Sequence, residues 1–386
     1  MRADELSPRA RQLHFSSLVF DTHEDTPQRL FFDQFDLASR DLEGCVDIPR
    51  LREGGVGAVF FALWVPAEIT GDAATRRARD LLDATLKQIE IHSTDLALAT
   101  SSGEVRTARA QNKIAVLLGI EGGHAIDNDL AVLREFHARG ARYMTLTHNA
   151  ATEWADSSND APRHHGLTDF GREVIRGMNR LGMLIDISHV SDPTFYDVLE
   201  TSRAPVIASH SCCRALCDAP RNLDDAMIRA LGSRGGVIHI TFHNSFLSQE
   251  YATANRALGS ENDAREQAAE DAFGENEARK LIEGQRWTDE SIRAGKLPRV
   301  SWEKIVDHID HAVGVAGADH VGIGSDFDGA FMPAGMEDAS KFPRITEGLL
   351  QRAYGEADIR KILGENTLRV LADAERVGDS MRSEKP

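Results

Sequence analysis

Histidine, aspartate and glutamate residues follow several short apolar segments of this sequence at the point where each segment ends. After the first segment comes Asp21-Thr22-His23-Glu24-Asp25, in which His23 and Asp25 point the same way on an extended backbone. Other segments end in a single residue of this kind: Glu121, His148, His189, His210 and Asp326. Imidazoles and carboxylates are ligands of Zn²⁺ and similar divalent ions, and this number of them suits two ions better than one. Two ions bridged by a carboxylate and a hydroxide supply a nucleophile at neutral pH and a clamp on a carbonyl.

Each of these residues has an ordinary structural interpretation when it is taken alone. A single histidine at the end of a strand is more often a hydrogen-bonded structural residue than a ligand, and an isolated Asp-x-His-x-Asp pattern is common by chance. The indication of a metal site therefore comes from recurrence, because one class of residue ends six segments in the same way.

The apolar segments alternate with longer stretches of helical periodicity, and they are rich in β-branched residues. Eight strands are predicted: Ser17–Phe20, Gly57–Leu63, Ile114–Ile120, Tyr143–Thr147, Met183–Ser188, Val206–Ser209, Gly236–Phe242 and Val321–Gly324. Eight alternations predict an α/β fold, a (β/α)₈ TIM-type barrel, in which the carboxyl ends of all strands meet at one mouth. A doubly wound sheet would instead have a glycine-rich turn directly after its first strand, whereas Gly54-Gly55-Val56-Gly57 precedes a strand.

The helical stretches give the rest of the predicted organisation. Helices are predicted at Ala74–Ile91, Leu130–Arg139, Asp169–Leu181, Asp192–Thr201, Asp224–Leu231 and Trp302–Val315. Thr168-Asp169 and Ser191-Asp192 are typical helix starts. Residues 245–296 are polar, rich in Ala, Glu and Arg and without a convincing strand. They predict a helical insertion before the last strand, either a lid or subunit contact at the rim of the site or a solvated surface excursion. Residues 1–386 are predicted to form a single domain with a frayed tail after residue 378.

The composition excludes several classes of protein. The 386 residues contain 44 Lys+Arg and 61 Asp+Glu, a net charge of −17, which argues against nucleic acid and anionic membranes as partners. No apolar run approaches the ~20 residues that span a bilayer, and the first residues lack the pattern of a signal peptide, so a cytoplasmic location is expected. Cys45 stands alone, and Cys212, Cys213 and Cys217 are expected to be reduced, small packed hydrophobes. The sequence leaves open whether the protein forms a homo-oligomer.

The remaining histidines that stand out have less specific interpretations. His164-His165 lies in a polar loop and is expected to face solvent. His308 and His311 fall on a predicted surface helix. His239 and His243 end the seventh strand, and His243 is a weak candidate for the lining of the pocket.

Together these motifs resemble the renal (membrane) dipeptidase family, the M19 metallopeptidases, within the amidohydrolase-like barrels. The similarity runs from about Phe20 to Val370. Its segments are, in order, Phe20-Asp21-Thr22-His23-Glu24-Asp25, Gly119-Ile120-Glu121-Gly122-Gly123-His124, Thr145-Leu146-Thr147-His148-Asn149, Leu184-Ile185-Asp186-Ile187-Ser188-His189, Ala208-Ser209-His210-Ser211, Pro220-Arg221-Asn222, Ser325-Asp326-Phe327-Asp328-Gly329 and Gly364-Glu365-Asn366.

The resemblance implies a zinc-dependent dipeptidase with two Zn²⁺ ions per chain. His23 and Asp25 would hold one ion, Glu121 would bridge both ions, and His189 and His210 would hold the second. The substrate implied is a dipeptide with a free C-terminal carboxylate.

Three further residues receive roles from the same resemblance. Asp326 would lie beside the bridging hydroxide and the first ion, and it would move a proton to the leaving amine. His148 would contact the carbonyl or the tetrahedral oxyanion. Arg221 would bind the free carboxylate of the dipeptide, which suits the fork of a guanidinium.

The sequence also departs from the family and leaves alternatives open. Mammalian members carry a secretion signal and a lipid-anchor signal, which are not found here, and the insertion before the last strand looks longer. One alternative is another amide or lactam hydrolase, acting on an N-acyl amino acid or a β-lactam. Another is a metal-binding protein without catalysis. Asp326, His148 and Arg221 argue against the second, because metal storage needs neither an oxyanion partner nor a carboxylate clamp.

Overall fold

The protein is described by a computed structural model, which covers residues 6–40 and 43–384. Its centre is a closed barrel of eight parallel strands surrounded by helices, so the predicted fold is confirmed. The strands are β1 (Val19–Glu24), β2 (Val56–Trp64), β3 (Leu96–Leu98), β4 (Ile114–Glu121), β5 (Ala141–Thr145), β6 (Leu184–Asp186), β7 (Ile207–Ser211), β8 (Val237–Ile240) and β9 (Val321–Ile323). Their order is β2-β1-β9-β8-β7-β6-β5-β4, and the pairing of β2 with β4 closes the barrel.

The eight predicted strands are the eight barrel strands, with ends that differ by a few residues. The short strand β3 was not predicted. It lies outside the closed ring and pairs with β4 alone. Its Leu-Ala-Leu sequence lacks β-branched residues, and two of its three residues are only half-buried, so neither pattern that marks a strand is present.

Helices fill the connections between the strands. They are α1 (Pro8–Ser16), α2 (Pro27–Phe32), α3 (Ile48–Glu53), α4 (Asp72–Ile91), α5 (Ser102–Ala110), α6 (Leu130–Ala138), α7 (Asp169–Leu181), α8 (Asp192–Thr201), α9 (Asp225–Ser233), α10 (Asn244–Leu247), α11 (Gln249–Ala257), α12 (Gly259–Phe273), α13 (Glu277–Arg293), α14 (Glu303–Ala316), α15 (Pro343–Gln351), α16 (Glu356–Arg360) and α17 (Asn366–Ser383). The predicted caps of α7 and α8 form, because Thr168 and Ser191 each accept a hydrogen bond from a backbone N–H in the first turn. The predicted insertion corresponds to α10–α13.

Two expectations are corrected. The chain after Gly378 is the end of helix α17, which continues to Ser383, and is not a frayed tail. His308 does not face solvent, since it is buried on the inner face of α14 between Ile305 and Ile309. It accepts from the backbone N–H of Cys213 at 3.0 Å, and its Nε2 lies 3.1 Å from the carbonyl of Leu247.

The other histidines and cysteines agree better with expectation. His165 is exposed, whereas His164 is half-buried and lies 3.1 Å from the carbonyl of Thr152. The three crowded cysteines are buried, and all four cysteines are free thiols. Helices long and apolar enough to cross a membrane are not found among the residues described.

The lower part of the barrel interior is filled by aromatic rings that support the site above. Phe20 stacks on Phe60 at 5.6 Å between ring centroids, and Phe60 packs against Tyr143 at 4.7 Å. Gly119 makes room for this ring, because a Cβ there would lie 2.0 Å from Tyr143. The hydroxyl of Tyr143 thereby reaches the mouth of the barrel, where it meets His23.

Candidate metal centre

The structure brings the six predicted ligands together at the carboxyl ends of the strands, where they are buried. The possible ligands form three groups of three residues, and within each group the ligand atoms lie within 4.8 Å of one another. The groups are His23 with Asp25 and Glu121, His23 with His210 and Asp326, and Glu121 with His148 and His189. His148 therefore stands among the possible ligands, whereas the resemblance implied a contact with the substrate.

Glu121 lies at the centre of the cluster. Its Oε2 is 3.2 Å from Nε2 of His23, and its Oε1 is 3.1 Å from Nε2 of His189 and 3.4 Å from Nε2 of His210. Asp25 approaches His23 at 3.6 Å. The two oxygens of Glu121 thus face different histidines, as a carboxylate shared by two ions would do.

Hydrogen bonds from below orient two of the imidazoles. The Nδ1 of His23 lies 2.8 Å from the Tyr143 hydroxyl. The Nδ1 of His210 lies 2.8 Å from the Ser209 hydroxyl, which itself donates to Asp186 at 2.6 Å. A histidine that donates from Nδ1 keeps the lone pair of Nε2 free for a metal. Both Nε2 atoms accordingly turn towards Glu121.

Replacing Tyr143 by Phe is expected to weaken metal binding by roughly 10–100-fold, the usual effect of losing a partner that orients a metal ligand. The substitution removes one hydroxyl and leaves the packing on Phe60 in place. Competition with a chelator of known affinity measures the change. Unchanged affinity would show that His23 does not depend on this hydrogen bond.

The backbone conformation also positions the side chains of the site. His189 and Asp326 have positive φ angles of 68° and 69°, a region that such residues rarely adopt and that concentrates at functional sites. The amide of Asp326 donates to the carbonyl of His23 at 2.9 Å. A Cβ at Gly329 would lie 1.9 Å from Asp25 and 2.8 Å from Asp326, so glycine lets both carboxylates approach each other.

The ionisable groups of the cluster favour the binding of cations. Burial raises the pKa of Asp326 well above its usual range, and the charges of Asp25 and Glu121 raise it further. Burial raises the pKa of Asp25 too, with Glu121 adding to it. Burial lowers the pKa of His189 and His210 well below the usual range, which keeps both imidazoles neutral.

Two polar atoms of the cluster support the same view. The Nε2 of His23 and the Oδ1 of Asp25 are buried and have no hydrogen-bond partner among residues 6–40 and 43–384, which is costly unless another group satisfies them. Neutral imidazoles and crowded carboxylates are the donor set of a divalent metal ion. The residues present therefore fit a metal centre with room for more than one ion.

A cavity of about 510 Å³ opens above these residues. His148 lines it, with its ring 4.4 Å from that of His189 and 5.2 Å from that of Trp64. Desolvation, followed by the positive charge of Arg221, lowers the pKa of His148 to about 3. The imidazole is therefore neutral at physiological pH.

Arg221 also lines the cavity, and its side chain is buried. Its guanidinium donates to the carbonyl of His210 at 3.1 Å and lies 5.4 Å from the ring centre of Phe246. Burial lowers its pKa to about 10, so it stays charged at neutral pH. Within the described residues no carboxylate forms an ion pair with it, and its Nε has no partner. A buried cation without a paired carboxylate favours the binding of an anion beside it.

Residues of the insertion line part of the cavity. Helices α12 and α13 form a hairpin, the roof hairpin (residues 259–293). Five of its charged residues line the cavity: Arg265, Glu266, Glu270, Glu277 and Lys280. Ion pairs attach it to the barrel side, from Arg279 to Asp33 at 3.1 Å and to Glu43 at 2.8 Å, and from Arg286 to Glu43.

Sequence reasoning did not identify several residues that shape the site. Tyr143 was taken only as part of a strand, Asp186 was named only within a strand and a motif of the resemblance, and Trp64 was not singled out. The alternation of a barrel strand indicates which side chains point inward, but not which of them bonds to a ligand.

A family model for membrane dipeptidases, peptidase family M19, matches residues 7–385. Dipeptidase 3 from Homo sapiens and dipeptidase 3 from Macaca fascicularis are each 33% identical to the chain, over 99% of this chain and 70% of their own sequences.

Solved structures agree with the family. The dipeptidase AC, a metallopeptidase of family M19, has a TM-score of 0.76 and 26% identity over 93% of this chain and 98% of its own. The probable dipeptidase PvdM from Pseudomonas aeruginosa has a TM-score of 0.80 and 26% identity over 96% and 100%. A metallopeptidase from Rhodobacter sphaeroides, liganded with a phosphinate mimic of the dipeptide L-Ala-D-Ala, has a TM-score of 0.75 and 25% identity over 93% and 99%. With the buried histidines and carboxylates gathered at the mouth of the barrel, these matches establish that the chain belongs to the membrane dipeptidase family M19 and is a peptide-bond hydrolase of the metallopeptidase class.

Proposed function

We propose that this enzyme is a zinc-dependent dipeptidase that cleaves dipeptides with a free C-terminal carboxylate. The observation that carries the proposal is the buried Arg221, which has no ion-pair partner among the described residues and lines the same cavity as the metal centre. A dipeptide carboxylate would supply the missing anion and place the peptide bond near Glu121. The dipeptide mimic bound to the Rhodobacter sphaeroides relative supports this substrate class.

The metal would be held by the predicted ligands. His23 and Asp25 would bind one Zn²⁺ ion, His189 and His210 the other, and Glu121 both, with Asp326 beside the first. When bound, the two ions would activate water as a nucleophile at neutral pH and polarise the carbonyl of the peptide bond.

The chain's own side chains complete the reaction. A carboxylate oxygen of Asp326 accepts the proton of the attacking water and gives it to the nitrogen of the leaving amine, which would otherwise leave as an unstable anion. His148, neutral in the cavity, donates an N–H to the carbonyl oxygen as negative charge develops there. Arg221 fixes the other end of the substrate.

The test of this function is a rate assay with and without added zinc, on dipeptides, dipeptide amides, N-acyl amino acids and a β-lactam. Zinc-dependent hydrolysis with dipeptides as the best substrates is expected. Preferred hydrolysis of an N-acyl amino acid or a β-lactam would reassign the substrate, and metal binding without hydrolysis of any compound would leave a metal-binding protein.

Replacing Arg221 by Met is expected to lower kcat/KM for dipeptides. The loss of transition-state stabilisation should be about 2–4 kcal/mol, the scale of a lost buried charge partner. Dipeptide amides should be poor substrates of the parent enzyme and should respond much less to the change. Parallel kinetics on the free acid and the amide measure both effects.

A matched control for this variant is Arg229→Met in the same connection between β7 and β8. Arg229 is exposed on α9 and does not line the cavity, so the control should hydrolyse dipeptides like the parent. Equal hydrolysis of amides and free acids by the parent enzyme would contradict the carboxylate clamp.

A further inference from the structure

A second arginine of the cavity, Arg265, belongs to the roof hairpin. Its guanidinium carbon lies 5.4 Å from the ring centre of Trp287 and 5.8 Å from that of Phe331. Arginine stacks well on aromatic faces, and the two rings limit the positions that this side chain can take.

A glycine makes room for this arrangement. Gly284 is buried within helix α13, and a Cβ there would lie 2.6 Å from Nη1 of Arg265 and 2.7 Å from Phe331. Glycine is an unfavourable residue inside a helix, so its presence at a tightly packed position is explained by the space that Arg265 and Phe331 need.

The positive charge of Arg265 is only weakly compensated. Its hydrogen-bond partner is Glu266 at 3.0 Å, whose side chain is 69% exposed, so solvent screens the pair. Its Nε is buried and has no hydrogen-bond partner in the part of the chain that the structure describes. Lys280, by contrast, pairs with both Glu270 and Glu277. Together with Arg221, Arg265 therefore places two guanidinium groups on the wall of the cavity, which also carries the carboxylates of Glu266, Glu270 and Glu277.

Topology indicates which part of the substrate meets this wall. Arg221 follows β7, His243 and Phe246 follow β8, and Phe331 follows β9, and these three strands are neighbours in the barrel. The rings form a continuous path, with 4.5 Å between the centres of His243 and Phe246 and 6.1 Å between those of His243 and Phe331.

The opposite side of the cavity has a different character. Trp64 at the end of β2 and the exposed Glu68 after it line this side, and β2 lies opposite β7, the strand that precedes Arg221, in the ring of strands. With a main-chain carboxylate on Arg221, the path of rings from Phe246 through His243 to Phe331 would lead from that dipeptide residue towards Arg265.

His243 adds a hydrogen-bond donor to the same wall. Its Nδ1 accepts from the backbone N–H of Ser245 at 3.1 Å, so in the neutral imidazole the proton resides on Nε2. The ring lines the cavity between Phe246 and Phe331.

From this arrangement we propose that Arg265 is a specificity-determining residue that favours dipeptides with an aspartate or glutamate at the C-terminal position. Its guanidinium binds the side-chain carboxylate, and His243 is placed to donate to the same group. This preference rests on the proposed dipeptidase function and deepens it, because it names the substrate class.

The test compares isosteric substrates on the zinc-loaded enzyme: Ala-Asp with Ala-Asn and Ala-Glu with Ala-Gln, each with an L- or a D-residue at the second position. At this part-buried site the parent enzyme is expected to favour the acid over the amide by about tenfold in kcat/KM for at least one pair. Added salt should reduce the preference, since screening weakens it. Arg265→Met, which keeps an apolar side chain between the two rings, should bring the acid-to-amide ratio near one and leave Ala-Ala hydrolysis close to that of the parent.

Two further variants sharpen the comparison. Arg265→Lys keeps the charge and should retain part of the preference. Arg293→Met makes the same change at an exposed position at the end of the roof hairpin that does not line the cavity, and it should leave the preference unchanged.

Several results would overturn the proposal. They are an acid-to-amide ratio near one in the parent enzyme, an equal loss on acids, amides and Ala-Ala in Arg265→Met, or a preference for Asp-Ala over Ala-Asp. Hydrolysis of Ala-Ala by the parent separates these outcomes from a failure of the dipeptidase function, in which no dipeptide would be cleaved.

Discussion

Replacing Asp326 by Asn is expected to leave much of the zinc bound while kcat for dipeptides falls by roughly 10²–10⁴, the usual contribution of general acid–base catalysis. Asparagine keeps the shape and one ligating oxygen of the side chain, but it cannot accept a proton from water and return it to the amine. Zinc content and kcat should be measured on the same preparation. The acidic limb of the kcat/KM pH profile should also change.

The alanine variant is the matched comparison for Asp326. Asp326→Ala removes the ligating oxygen together with the proton carrier, so metal content and activity should decline together. If the zinc-loaded asparagine variant hydrolyses dipeptides nearly as fast as the parent, Asp326 has no part in proton transfer. Its positive φ and its position beside Gly329 would then be features of the turn alone.

Replacing Glu121 by Gln should disrupt both halves of the metal centre. Its two oxygens face His23 on one side and His189 and His210 on the other, so one lost charge affects every ion held there. Losing a partner of a ligand costs 10–100-fold in metal affinity, and losing a shared ligand should cost more. We expect metal content to fall from two ions to less than one per chain, and hydrolysis to fall at least ~10³-fold. Elemental analysis of dialysed protein measures the first effect independently of activity.

Glu68→Gln is the control for this prediction, because Glu68 lines the same cavity but is exposed and lies in none of the ligand groups. Its metal content should equal that of the parent. Two tightly held ions in Glu121→Gln would exclude a carboxylate shared between the metals.

The arrangement of the ligands could be predicted from sequence because the parallel barrel imposes it. Once Glu121, His189 and Asp326 are placed at the carboxyl ends of strands, the closed sheet brings them to one mouth regardless of the details of packing. The roles taken from the resemblance, such as proton transfer by Asp326, stay predictions until the variants above are measured.

Other parts depended on contacts between residues distant in the chain. Tyr143 reaches His23 only because Gly119 leaves space for its ring, and no local pattern relates these three residues. His308 was wrongly assigned to the surface, although the spacing of Ile305, Ile309 and Ala312 marks its helix face as buried. The polarity of His308 suggested exposure, whereas its position on the apolar face of the helix correctly indicates burial.

The ion pairs of the roof hairpin have a consequence for how new versions of this enzyme could be made. Arg279 and Arg286 attach the hairpin to Asp33 and Glu43 through charged groups near the surface, while the metal ligands are fixed by the barrel strands. Exposed pairs of this kind contribute up to about 1 kcal/mol each, so the stability of the molecule rests elsewhere. If Arg265 selects the C-terminal side chain as proposed, that preference and bond cleavage depend on different stretches of polypeptide. A hairpin of another sequence could then be exchanged for residues 259–293 without redesigning the barrel beneath it.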